Sequence, residues 1–199
     1  MLIIAGFAAV VPDKSKVFKA FESCSCKNCK IIMLLKDPYP QKGVATGLAL
    51  ANNEDVNERD LSPSLKVIKH SLIGDRNNLV DFDNTLNYWA EQGVLLLNSA
   101  LTTRVGNIGS HIMIWRPFIS DFLERLSHNT SGLIYVLFGK QAQSFEPYID
   151  GKMNTILKEN HPAYYARLNE DMPIDIFDNI NKILYNANGV HINWYKDDA

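Results

Sequence analysis

Four short apolar runs, separated by longer segments of mixed polarity, organise the chain. They are Ile31–Leu35, Val94–Leu97, Leu133–Phe138 and a weaker run, Met153–Leu157. The first three have no polar face, so each predicts a strand that is buried on both sides, which is typical of a parallel sheet.

The segments between these runs show helical periodicity. Ser62 followed by Pro63 favours the start of one helix. Another helix is predicted from about Ile174 to Tyr185, with Gly189 as its stop. The clearest apolar stripe, which we interpret as core, consists of Trp115, Phe118, Ile119, Phe122, Leu123 and Leu126. Strands that alternate with helices predict an α/β fold in three α/β/α layers, with a central, mostly parallel four-stranded sheet.

Composition narrows the class of protein. A length of 199 residues with 46% hydrophobic and 21% charged content fits a single domain over residues 1–199. The formal net charge of -2 gives no sign of a polyanion partner, yet 20 Lys and Arg residues are enough to build a local basic groove. No apolar run approaches the roughly 18 residues of a membrane span, so no membrane partner is expected.

Two N-terminal features bear on location. Met1–Val11 is apolar but lacks the positive start of a signal peptide, so we interpret it as a packed segment. Cys24, Cys26 and Cys29 form a tight, odd-numbered set. This spacing is unlike that of a disulfide framework, and three cysteines are too few for a closed zinc site, which needs about four ligands. We therefore interpret the cysteines as a reduced surface loop without a metal, and we expect a cytoplasmic protein.

Polar residues follow each predicted strand, at edges that a parallel sheet brings together. Asp37 and Tyr39 follow the first strand, Asn98 the second, Lys140 the third and His161 the last. Taken one at a time, Asp37 before a proline is typical of a turn, and Asn98 and His161 are typical of structural residues. Their shared position at the strand ends favours a functional pocket instead.

Several ordered segments carry a resemblance to a known family. They are Lys36–Ala49, which contains Asp-Pro-Tyr; Trp89–Thr102, which contains Gln-Gly-Val-Leu-Leu-Leu-Asn; Ser110-His111 with Trp115 and Phe118; and His161-Pro162-Ala163. Together they resemble the motifs of uracil-DNA glycosylases of family 1, in the family's order and over nearly the whole chain. The resemblance also implies a sheet of that family's type, and we expect the chain to lack the N-terminal helices that are common in the family.

The resemblance implies base excision from DNA without a metal or cofactor. Members of the family flip deoxyuridine out of the duplex and hydrolyse its N-glycosidic bond. Asp37 would orient the attacking water, and His161 would donate a hydrogen bond to uracil O2. Asn98 would read the edge of the base, and Tyr39 would exclude the methyl group of thymine. Lys36 stands where the family has a glutamine that acts mainly through its backbone.

Two residues differ from the family's pattern, one in the pocket that holds the base and one at the position that enters the space left in the duplex by the flipped base. Leu50 stands where the family has a stacking phenylalanine, so the base loses an aromatic face. Tyr165 stands where the family has an intercalating leucine, beside Tyr164. We expect Tyr165 to wedge into the duplex.

Phosphate contacts are expected from two further segments. Ser62, Pro63 and Ser64 match the family's serine-proline loop, whose hydroxyl and amide groups hold phosphates. Lys140 stands where the family often has serine, and its charge is expected to attract a phosphate.

The leading hypothesis is a divergent uracil-DNA glycosylase that starts base-excision repair. One alternative is a glycosylase for a modified pyrimidine, because Leu50 changes the pocket wall. The other is a catalytically weak DNA-binding homologue associated with replication. The expected partners are single- or double-stranded DNA that contains uracil, and a proteinaceous inhibitor or replication partner. The expected state is a monomer in the cytoplasm, associated with the nucleoid.

Overall fold

The central element of the computed structural model, which describes residues 9–74 and 80–197, is a four-stranded parallel sheet. Its strands, in the spatial order β4-β2-β6-β7, are β2 (Ile31–Leu35), β4 (Val94–Asn98), β6 (Ile134–Phe138) and β7 (Thr155–Glu159). Every residue of β2, β4 and β6 is buried, so both faces of these strands are covered. The prediction of a parallel α/β sheet is confirmed.

Two short antiparallel pairs lie outside this sheet. They join β1 (Val10–Val11) to β5 (Thr103–Arg104) and β3 (Val80–Asp81) to β8 (Lys196–Asp197). Most of the apolar segment Met1–Val11 lies outside the described residues, and within it Val11 is buried.

Seven helices surround the sheet in the described part of the chain. They are α1 (Lys19–Ser23), α2 (Pro63–Ile73), α3 (Asn87–Glu91), α4 (Ile112–Asn129), α5 (Gly139–Gln143), α6 (Pro162–Leu168) and α7 (Asp175–Asn188). As predicted, α2 begins with Pro63, and α7 stops before Gly189, whose φ of 70° is left-handed. Among residues 9–74 and 80–197, no helix is long and apolar enough to cross a membrane.

The last strand begins two residues later than predicted. Asn154 precedes it, and its side chain accepts a hydrogen bond from the amide of Leu133 at 3.1 Å and donates one to the carbonyl of Ser127 at 3.0 Å. A buried amide that satisfies two backbone groups closes the turn, so the strand starts at Thr155.

Two predictions about burial need correction. Cys24 and Cys29 are buried in the core and only Cys26 is exposed, because the chain turns inward on both sides of this loop. The stripe along α4 is core at Ile119, Leu123 and Leu126, whereas Phe118 is exposed and packs edge-on against Phe18 and Phe21.

Candidate active site

One pocket lies beyond the carboxyl ends of the strands, and we call it the rim pocket. It is lined by Leu35, Asp37, Pro38, Tyr39, Ala45, Gly47, Leu48, Leu50, Ser64, Asn98 and His161. Parallel register aligns the ends of β2 and β4, with Leu35 opposite Asn98, and the ends of β6 and β7, with Phe138 opposite Glu159. The sheet thus brings together Asp37, Tyr39, Asn98 and His161, as the sequence predicted, and Leu50 reaches the same pocket from the loop after β2.

Asp37 follows β2 and is held by a distant loop. The backbone amide of Gly109 donates a hydrogen bond to Asp37 Oδ2 at 2.5 Å. Burial raises the pKa of Asp37, while the Gly109 hydrogen bond and the nearby charge of Lys36 oppose the rise. A carboxylate in this setting is desolvated on one side and oriented by a fixed donor, which suits a base or an electrostatic stabiliser.

His161 precedes α6 and has a defined tautomer. Its Nδ1 accepts a hydrogen bond from the amide of Ala163 at 3.1 Å, so the proton of the neutral ring lies on Nε2. Burial, with the charges of Arg167 and Lys36, lowers the pKa of His161 to about 4. The imidazole is therefore neutral near neutral pH and presents an N–H donor.

Gly139 allows the imidazole to sit at this place. Its φ is 79°, and a Cβ atom there would lie 3.0 Å from His161 Cβ. A side chain at position 139 would force the histidine backbone away, so the glycine that follows β6 serves close packing as well as the turn.

Asn98 is the last residue of β4 and is almost fully buried. The residues after it are tied to the Asp37 loop, because the Ser99 amide donates to the Leu35 carbonyl at 2.9 Å and the Ala100 amide to the Lys36 carbonyl at 3.0 Å. The amide side chain therefore keeps a fixed position relative to the carboxylate. It offers both a donor and an acceptor to a ligand in the rim pocket.

Tyr39 and Leu50 form a linked wall of the rim pocket. The Tyr39 hydroxyl donates a hydrogen bond to the Leu50 carbonyl at 2.8 Å, and burial raises the pKa of the phenol. Leu50 has a φ of 70°, which is uncommon for a residue with a branched side chain. The tyrosine thus supports an unusual backbone conformation at the position where the family has its aromatic face.

A basic groove of about 550 Å³ adjoins the rim pocket. Three basic side chains line it, namely Lys36, Lys140 and Arg167, together with Ser64. Lys140 and Ser64, which the sequence predicts as DNA contacts, both line this groove, and the Ser64 side chain is buried. Arg167 was not predicted; its sequence signal is that it lies six positions after His161, on the short helix that His161 precedes.

Ser62 and Pro63 do not face this groove. Ser62 is buried, and its hydroxyl accepts a hydrogen bond from Asn52 Nδ2 at 2.8 Å. Pro63 lies in an adjacent hollow that Lys66 also lines. That bond uses a lone pair of the Ser62 oxygen and not its O–H, so the phosphate contact of Ser62 stays a prediction.

The structure buries Tyr165, so in this conformation the residue is not placed to act as the predicted wedge. Only 8% of Tyr165 is exposed, and its hydroxyl donates a hydrogen bond to Glu159 Oε1 at 2.7 Å. Tyr164, which packs edge-on against Tyr165, is 42% exposed. The phenol ring at position 165 packs into the core because the glutamate at the end of β7 satisfies its polar tip.

Sequence reasoning missed the loop before α4. Gly109, which orients Asp37, and Ile108, which lines the basic groove, both lie in it. The sequence signal is weak, because only the two glycines at positions 106 and 109 mark a tight turn there. Among the described residues, no group of three or more His, Cys, Asp or Glu side chains is arranged to hold a metal ion.

Comparison with known proteins gives a consistent result. No family model matches the chain. A curated relative named uracil-DNA glycosylase, from Campylobacter jejuni subsp. doylei, is 34% identical over 186 residues, which cover 93% of this chain and 79% of the relative. The chain in the crystal structure of mimivirus uracil-DNA glycosylase is 25% identical to this one. The match covers 94% of this chain and 75% of the mimivirus chain, with a TM-score of 0.82. A mimivirus variant in complex with UGI, 24% identical and covering 94% of this chain and 76% of its own, superposes with a TM-score of 0.82.

Proposed function

The chain belongs to the uracil-DNA glycosylase family, and we propose that Asp37 and His161 are the residues with which it hydrolyses the N-glycosidic bond of deoxyuridine in DNA. Its function is uracil excision, the first step of base-excision repair. The observation that supports the residue roles is the convergence of Asp37, Tyr39, Asn98 and His161, from three separate segments, on one rim pocket.

Asp37 acts at the sugar. As the bond between C1′ and N1 breaks, its electron pair leaves with the base and positive charge develops at the sugar ring. The desolvated carboxylate of Asp37 stabilises that charge and orients a water, whose oxygen forms the new bond to C1′ and whose proton passes to the carboxylate or to solvent. The Gly109 amide holds the carboxylate in place during this step.

His161 acts at the departing base. Negative charge collects on uracil O2 as the bond breaks, and a fixed N–H donor stabilises it. Because Nδ1 is occupied by the Ala163 amide, Nε2–H is the donor that faces the rim pocket. A neutral imidazole can stay protonated on Nε2 throughout, since its pKa of about 4 prevents it from becoming a cation near neutral pH.

Asn98 and Tyr39 determine which base fits. The Asn98 amide accepts from uracil N3–H and donates to O4, whereas cytosine presents the reverse pattern. Tyr39 occupies space in the same pocket and excludes the C5 methyl group of thymine by contact. Leu50 completes the wall without a ring to stack on the base.

DNA approaches through the basic groove. The scissile bond is inaccessible in the stacked duplex, so the nucleotide must rotate out of it. Lys36, Lys140 and Arg167 offer three positive charges beside the pocket, which is the local field that phosphates need even though the net charge of the chain is -2.

Three further proposals concern the protein in its setting. A proteinaceous inhibitor is proposed to occupy the basic groove, since the structurally similar mimivirus variant was crystallised in complex with UGI. The chain is proposed to act as a monomer, which size-exclusion chromatography with light scattering tests. Its proposed location is the cytoplasm at the nucleoid, where its DNA substrate lies.

Leu50 is the observation that favours a second candidate, the excision of a modified pyrimidine. An aliphatic wall changes the face of the base pocket, although Tyr39 limits substituents at C5. The experiment that separates the two is base release from matched oligonucleotides carrying uracil, thymine or 5-hydroxymethyluracil at one position. Faster release of uracil than of the other two supports the proposed function, whereas faster release of 5-hydroxymethyluracil contradicts it.

A further inference from the structure

A base that leaves the duplex vacates space that another group must fill. Proteins that distort DNA from the minor groove often insert Phe, Leu, Ile, Met or Pro into the stack. The sequence predicts that Tyr165 does so in this chain, but Tyr165 is buried and its hydroxyl donates a hydrogen bond to Glu159. If the chain excises uracil from duplex DNA as proposed above, the apolar wedge must come from elsewhere in the fold.

The loop before α4 offers such a group. Ile108 lines the basic groove together with Asp37 and His161, and it is 60% exposed. Phe138, the other large apolar side chain without a polar atom among the described lining residues, is fully buried. Ile108 therefore presents an exposed aliphatic side chain inside a groove that Lys36, Lys140 and Arg167 also line.

The loop that carries Ile108 is braced at several points. The Gly106 amide donates a hydrogen bond to the Pro40 carbonyl at 2.9 Å, and the Thr103 hydroxyl donates to the Asn107 carbonyl at 2.7 Å. The residue after Ile108, Gly109, donates to Asp37. A braced apolar tip can press on a base pair without folding back, and its position is fixed relative to the reacting carboxylate.

We propose that Ile108 is the side chain that enters the base stack when deoxyuridine is flipped into the rim pocket. The inference rests on the proposed function, and it assigns the wedge to the loop before α4 instead of the helix after His161. Tyr164 is the competing candidate, since it is 42% exposed, but it is not among the residues that line the basic groove.

The test compares one uracil-containing strand, alone and in a duplex that carries 2-aminopurine beside the uracil. The variants are Ile108→Ala, Ile108→Phe and Tyr164→Ala, with Met113→Ala as the matched control, because Met113 is 77% exposed and does not line the groove. Excision from the single strand serves as the internal reference, since no stack needs to be filled there. Binding to the duplex raises the 2-aminopurine fluorescence when the stack opens, whether or not the bond is cleaved.

For Ile108→Ala we expect kcat/KM on the duplex to fall about tenfold more than on the single strand, with a smaller fluorescence rise. Ile108→Phe should keep most of the parent's duplex kcat/KM and most of its fluorescence rise, and Met113→Ala should match the parent in both. Equal losses on both substrates, no loss on the duplex, or a duplex-specific loss in Tyr164→Ala alone would each overturn the inference. A parent that opens the stack without releasing uracil would instead count against the proposed function.

Discussion

The backbone amide of Gly109 and the carboxylate of Asp37 are 72 residues apart in the chain and joined by a hydrogen bond of 2.5 Å. The bond connects the loop before α4 to the end of β2. It counteracts the effect of burial, which by itself raises the pKa of Asp37. The carboxylate can thus remain both poorly hydrated and ionised, the state in which it stabilises a developing positive charge best.

Excision should depend on pH through Asp37 and His161. Asp37 must be ionised to act, and its pKa is raised. As the pH is lowered, activity should therefore begin to fall at a higher pH than an ordinary aspartate would give. Protonation of His161, with a pKa of about 4, should reduce activity further at lower pH. Lys36 lowers the pKa of both groups, so Lys36→Gln should move this acidic limb to higher pH. The profile of kcat/KM checks this, with exposed Lys182→Gln as control, and an unmoved limb would contradict it.

Replacing Asn98 by Asp should change which base is read. A carboxylate cannot donate to uracil O4, so excision of uracil should fall about 100-fold or more, because a polar group is left unpaired. The same carboxylate can accept from the amino group of cytosine, and slow cytosine release from single-stranded DNA should become measurable. Asn57→Asp, at an exposed position, should leave the parent preference intact. Unchanged discrimination in Asn98→Asp would remove Asn98 from the base-reading role.

Shortening Tyr39 should admit thymine. Tyr39→Ala removes the ring from the wall of the rim pocket and also the hydrogen bond to the Leu50 carbonyl. We expect thymine release to rise above background while uracil release falls about tenfold, since the loss of one buried hydrogen bond loosens the wall. Release of both bases from matched oligonucleotides checks this, with exposed Tyr185→Ala as control. Continued rejection of thymine would place the exclusion elsewhere.

Lys140, in the basic groove, should contribute to DNA affinity through its charge alone. Lys140→Ser removes one of the three basic side chains that line the groove. Binding of an uncleavable duplex should weaken equally for all sequences, and the slope of log K against log salt should fall in magnitude by about 1. Lys182→Ser, outside the groove, is the control, and an unchanged slope for Lys140→Ser would show that no phosphate lies beside Lys140.

The sheet was predictable because its strands are uniformly apolar. Ile31–Leu35 begins and ends where the pattern does, since no residue in it can face water. The strand near Met153 was misplaced by two residues, because the buried contacts of the Asn154 side chain fix its start and no periodicity reports them.

The pocket was predictable only where chemistry lies in short motifs. Asn98 ends a strand, and Asp37 and His161 come two residues after strand ends, so their convergence follows from the parallel sheet. The orientation of Tyr165 was not predictable, because it depends on a hydrogen bond to Glu159 across the end of another element. The contribution of Gly109 was equally hidden, since its backbone amide, not its side chain, contacts Asp37.

The most direct test of the central claim is strand cleavage, after alkali, of a labelled oligonucleotide with one uracil, as a single strand and as a duplex. The parent should release uracil, and Asp37→Asn and His161→Leu should each lose about 10²–10⁴-fold in rate on both substrates while keeping the parent's thermal unfolding. Asp55→Asn, at an exposed site outside the groove, should behave as the parent. Full activity in Asp37→Asn, or no uracil release by a folded parent, would contradict the account.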